Sequence, residues 1–102
     1  MNNKFEYDHS SFIVKNIDKS LKWYVENCDA EILYSSEDWA LMNIYGTKLA
    51  LSTGVHPPHI AFRCKKDTLY SIEDIKIKHR DGSEAVYIQD LDGNAIELIT
   101  YE

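Results

Sequence analysis

The chain carries the same short pattern twice. His9-Ser10-Ser11-Phe12-Ile13-Val14-Lys15 aligns with His59-Ile60-Ala61-Phe62-Arg63-Cys64-Lys65, so His, Phe and Lys recur at the same offsets. Each segment runs on to an aspartate, Asp18 or Asp67, and then to apolar residues at helical spacing. The later parts align as well. Gly46-Thr47-Lys48-Leu49-Ala50-Leu51-Ser52-Thr53 lies over Gly93-Asn94-Ala95-Ile96-Glu97-Leu98-Ile99-Thr100, and this overlay sets Glu97 on Ala50. Solenoids need roughly three or more repeats to bury a continuous core. Two copies therefore point to a pseudo-twofold pair of modules.

Local signals give both modules one order of elements. In the first, about 8–15 reads as a strand, and Asp18 can cap a helix with apolar residues at Ile17, Leu21, Tyr24 and Cys28. Segments near 30–35, 39–45 and 47–53 follow as strands, with Gly46 between the last two. In the second, 59–64 is a strand and Asp67 caps a shorter helix running through Ile72 and Ile75. Three strands follow near 76–79, 84–89 and 95–101. Pro57-Pro58 marks the junction, because proline rarely continues a strand interior. The expected fold is α+β: one domain over 1–102, made of two βαβββ modules (about 7–54 and 58–102).

Composition narrows the class of partner. The chain has 102 residues, 44% hydrophobic and 27% charged, which suits one globular domain with its own core. A net charge of −6 and scattered lysines argue against nucleic acid, which calls for clustered positive charge. Met1-Asn2-Asn3-Lys4-Phe5-Glu6 has no apolar run, and no stretch is long enough to span a bilayer, so a cytoplasmic protein without membrane partners is expected. Cys28 and Cys64 read as two reduced, partly buried thiols.

Strand alternation decides which side chains share a face. His9, Ser11 and Ile13 lie together, opposite Ser10, Phe12 and Val14. His59, Ala61 and Arg63 oppose Ile60, Phe62 and Cys64, while Ala95, Glu97, Ile99 and Tyr101 oppose Ile96, Leu98 and Thr100. The faces with Phe12 and Phe62 should pack beneath the helices. The histidines and Glu97 then point to the other side of the sheets. Spacing alone leaves them as ordinary polar residues of a sheet.

Several motifs resemble the vicinal oxygen chelate superfamily, which contains glyoxalase I, extradiol dioxygenases, fosfomycin-resistance thiol transferases and bleomycin-binding proteins. These are Asp8-His9 opening a strand, Asp18-Lys19-Ser20-Leu21-Lys22-Trp23-Tyr24 on a helix, and Pro58-His59-Ile60-Ala61-Phe62. The last is Tyr87-Ile88-Gln89-Asp90-Leu91-Asp92-Gly93-Asn94-Ala95-Ile96-Glu97-Leu98, where Leu91 stands in place of the family's proline. The resemblance covers nearly the whole chain and implies a curved mixed sheet around a metal-binding cleft, with metal ligands at His9, His59 and Glu97. Two imidazoles and a carboxylate suit Fe(II) or Mn(II), with Zn(II), Ni(II) or Co(II) as alternatives. Glyoxalase I adds a carboxylate where this chain has Ala50, which cannot ligate.

The resemblance implies a metal-dependent enzyme acting on a small oxygen-bearing molecule, closer to a dioxygenase or thiol transferase than to the four-ligand glyoxalase I. The alternative is a non-catalytic drug-binding protein, which the three retained ligands oppose. A homodimer is expected, as for other small members. Arg63 could clamp a substrate carboxylate or phosphonate, or pair with one of 17 acidic residues. Tyr87 occupies a position near the metal in the thiol transferases, where its hydroxyl could bind substrate, or it is a core tyrosine. Ser11 is a candidate pocket residue. His56 and His79 are expected on surface loops. Trp39 and Tyr45 read as core or interface aromatics, and Asp90-Leu91-Asp92-Gly93-Asn94 as a hairpin connection.

Overall fold

A computed structural model describes residues 4–54 and 56–102. Met1, Asn2 and Asn3, part of the N-terminal stretch considered above, lie outside the described residues. The elements run β1 (Glu6–Ile13), α1 (Ile17–Cys28), β2 (Glu31–Ser35), β3 (Trp39–Ile44) and β4 (Thr47–Ser52). They continue β5 (His59–Arg63), α2 (Lys66–Tyr70), β6 (Ile77–Lys78), β7 (Glu84–Gln89) and β8 (Ala95–Thr100). This is βαβββ twice, as the repeat requires.

The chain divides into two compact units. One is His9–Pro58. The other joins the residues up to Asp8 to His59–Glu102. Strand β1 therefore gives its first residues to one unit and the rest to the other.

In the first-module unit the strand order is β2-β3-β4-β1. β1 and β4 pair in parallel, with Ser11 opposite Ala50, and β4 pairs antiparallel with β3, with Leu41 opposite Ala50. In the second-module unit the order is β5-β8-β7-β6. There β5 and β8 pair in parallel with Ala61 opposite Glu97, and Tyr87 of β7 faces Glu97 from the other side. The overlay of Ala50 on Glu97 thus holds in the hydrogen-bonded register and not merely in the alignment.

Each helix lies on the apolar face of its own unit. Ile17 and Leu21 of α1 bury against Ala40, Met42, Leu49 and Leu51, with Val14 packed at the edge. Leu69 of α2 buries against Val86 and Leu98, joined by Phe62, Cys64 and Ile96. These strand residues have the parity opposite to Ala50 and Glu97, so the helices leave the Glu97 face to polar groups. Phe12 departs from expectation, being 49% exposed. The buried residues of α1 cover the β3–β4 side, and Val14 rather than Phe12 reaches their cluster.

Both helix starts differ from expectation. Asn16 caps α1, its side-chain oxygen accepting from the Lys19 N–H at 2.8 Å. Asp18 sits in the first turn, where its charge complements the helix N-terminus. Asp67 likewise lies inside α2 and accepts from the Thr68 N–H. That helix closes at Ser71, leaving Ile72 and Ile75 beyond it. Ile72 still packs on the core, whereas Ile75 is exposed. Cys28 and Cys64 are both free thiols. Among the described residues no helix is long and apolar enough to cross a membrane.

Candidate metal centre

The second-module unit concentrates its polar groups on the carboxylate of Glu97. The Glu97 side chain is 2% exposed, on a strand paired along both edges. Burying a carboxylate is unfavourable unless hydrogen-bond donors or cations replace its water. Here the replacements come from three strands or their ends. His59 Nε2 of β5 stands 3.3 Å from Oε1, and His79 Nε2, just past β6, stands 2.9 Å from Oε2. Tyr87 of β7 donates its hydroxyl to the same carboxylate. Its ring meets His59 edge-on, with centroids 5.2 Å apart.

The pairing registers explain the convergence. Ile77 opposes Ala85, and Ala85 opposes Ile99. By alternation, His79, Ala85, Tyr87, Glu97 and His59 all project from one face. Small residues keep that face open: Ala61 lies opposite Glu97, Ala85 two residues from Tyr87, and both are fully buried. Burial, and then the Glu97 charge and hydrogen bond, push the Tyr87 phenol well above the usual tyrosine range. Tyr87 therefore stays protonated near neutrality and acts as a hydrogen-bond donor rather than a base.

His79 is the residue that sequence reasoning missed. It was expected on an exposed turn, but 77% of its side-chain surface is covered and it binds Glu97. The turn holds it there: the His79 N–H donates to the Ser83 carbonyl at 2.8 Å, and the Gly82 N–H donates back to the His79 carbonyl. Asp81 locks the same turn by accepting from the Ser83 N–H and hydroxyl. Carrying the alternation of the final strands back to residue 79 was the signal that could have found it.

The remaining candidates divide clearly. Of the two alternatives open for Arg63, the structure displays the acid-paired one. Its guanidinium lies 2.9 Å from Glu6 and 3.4 Å from Asp8, and Asp8 also accepts from the Tyr101 hydroxyl at 2.8 Å. Burial and the bond to Asp8 raise Tyr101 above the ordinary phenol range. His9 follows Asp8 on β1, and Ser11 is buried opposite Ala50. Ala50 itself is buried and offers no donor, as expected for a chain lacking the fourth glyoxalase I ligand. Trp39 packs against Tyr34 with ring centroids 5.5 Å apart. Tyr45 is exposed and donates its hydroxyl to Asp29. His56 is half-buried ahead of β5.

The Asp90–Asn94 connection forms as read. Asp90 accepts from the Asp92 and Asn94 N–H groups and from the Asn94 side-chain amide. Gly93 takes φ +85, a conformation that L side chains rarely adopt. Leu91 is fully exposed, so the turn needs no proline there.

Solved structures share this architecture. A glyoxalase/bleomycin resistance protein/dioxygenase superfamily member from Vibrio splendidus 12B01 superposes with a TM-score of 0.71 at 12% identity, covering 93% of this chain and 98% of that one. The chain has the vicinal oxygen chelate fold. A variant of homoprotocatechuate 2,3-dioxygenase from Brevibacterium fuscum gives a TM-score of 0.65 at 21% identity, over 94% of this chain and 33% of the dioxygenase. In sequence, the metallothiol transferase FosB of Staphylococcus haemolyticus (strain JCSC1435) is 29% identical, covering 91% of this chain and 81% of the relative. No family model matches. The superfamily resemblance carried by the motifs is thus borne out.

Proposed function

We propose that His9, His59 and Glu97 together hold a divalent metal ion, and that the protein is a thiol-transferase-like enzyme acting on a small oxygen-bearing electrophile. The observation that carries this reading is the buried Glu97 carboxylate with the His59 imidazole against one of its oxygens. The donors are nitrogen and oxygen without thiolate, which suits Fe(II) or Mn(II) first and Zn(II), Ni(II) or Co(II) next. His9 enters as the repeat partner of His59, with the same strand parity. The cation's contribution would be Lewis-acid stabilisation of negative charge on a substrate oxygen.

The surrounding residues suit such a reaction. When a thiol opens an epoxide, a C–S bond forms, a C–O bond breaks, and the thiol proton ends on the released oxygen. Tyr87, held protonated, would turn its single O–H from Glu97 to an oxygen gaining charge. Arg63 would meet a substrate anion by exchanging its exposed partner Glu6 while keeping buried Asp8. Similarity to the metallothiol transferase over most of both chains favours thiol transfer over ring cleavage. We further propose a cytoplasmic homodimer that covers Ile32, Leu33 and Tyr34, all exposed on edge strand β2.

The test is thiol consumption by Mn(II)-loaded protein given a small thiol and an epoxide. Turnover that requires metal and falls in Tyr87→Phe supports the reading. Tight drug or epoxide binding without turnover under any metal would replace it with sequestration.

A further inference from the structure

His79 has no role in a three-ligand centre, yet its contact with Glu97 is the shorter of the two imidazole contacts. We propose that His79 is a positioning residue that fixes the Glu97 carboxylate and presents one oxygen to the metal. This rests on the reading of Glu97 as a ligand.

The two imidazoles divide the carboxylate between them: His59 Nε2 addresses Oε1 and His79 Nε2 addresses Oε2. A carboxylate can only accept, so a hydrogen bond at 2.9 Å requires the proton on His79 Nε2. A lone pair of Oε2 is thereby taken up, and the carboxylate is held against rotation. Oε1, on the His59 side, is the oxygen that would join an imidazole ligand in a shared coordination sphere. The backbone of His79 is itself held by the 79–83 turn, which Asp81 and Ser83 close. The donor is therefore built into the fold before any metal arrives. Outer-shell partners of this kind commonly contribute about 10–100-fold to metal affinity.

The experiment is a Mn(II) titration read by the electron paramagnetic resonance signal of free Mn(II). It compares wild type, His79→Ala, His79→Gln and His59→Ala, each first shown by its metal-free melting curve to be folded. The expected result is binding weakened about 10–100-fold in His79→Ala. His79→Gln, which keeps an N–H donor, should recover most of that loss. Equal affinity in His79→Ala and wild type would overturn the proposal. So would a loss that glutamine does not relieve, which would make His79 a ligand or a packing residue. A wild type that binds no more Mn(II) than His59→Ala would instead overturn the metal centre, and this proposal with it.

Discussion

Tyr87→Phe isolates one hydroxyl. The variant keeps the aromatic ring that meets His59 edge-on, and it removes the bond that the phenol donates to Glu97. A hydrogen bond to a charged group contributes about 1.5–3 kcal/mol net. For a domain near 100 residues, each kcal/mol shifts the melting temperature by roughly 4–8 °C. The metal-free variant should therefore melt about 6–24 °C below wild type at pH 7. The pH dependence is a second signature. The folded phenol titrates well above the unfolded one, so its contribution is fully present below about pH 10 and fades as pH rises toward the folded value. Phenylalanine has nothing to titrate, so the gap between the proteins should narrow above pH 10. Melting curves at pH 7, 9 and 11 measure both effects. Curves that coincide at pH 7 and stay parallel to pH 11 would refute the bond to Glu97.

Two further outcomes follow from packing and turn geometry. Helix α2 has five residues, too few to be stable alone, and Leu69 is its buried anchor. Leu69→Ala should cost about 2–5 kcal/mol in urea unfolding, and a cost below about 1 kcal/mol would show that α2 is held some other way. Asp81 titrates below the usual carboxylate range, chiefly through its bonds from Ser83. Its stabilisation is thus present above about pH 4 and lost as pH falls through the folded value. Asp81→Ala should be less stable than wild type at pH 7 and equal to it in strong acid; a deficit independent of pH would contradict the assignment.

Much of the site was legible because strand parity is strict. His59 and Glu97 could be set on one face from alternation together with the apolar faces opposite them, and the registers agree: Ala61 opposes Glu97 two residues beyond His59. The Ala50 overlay could be read because the repeat preserves spacing through β4 and β8. What sequence did not reveal depended on reach across strands. His79 sits beyond a two-residue strand, where local pattern suggests an exposed turn. Alternation carried back to residue 79 sets it on the Glu97 face, and the β6-β7-β8 registers bring it within reach of the carboxylate. Helix caps were misplaced by about two residues, because Asn16 and Asp18 are both good capping types and the burial of Ile17 decides between them. Arg63 could pair with acids or with a substrate; the two partners that engage it, Glu6 and Asp8, lie 57 and 55 residues away in the chain.

The most direct measurement is metal content by mass spectrometry after Fe(II), Mn(II) or Zn(II) is supplied, on wild type beside His59→Ala and Glu97→Gln. The account predicts near one divalent ion per chain in wild type and loss of that ion in both variants. Wild type without metal under every condition, or variants that keep it, would contradict the triad.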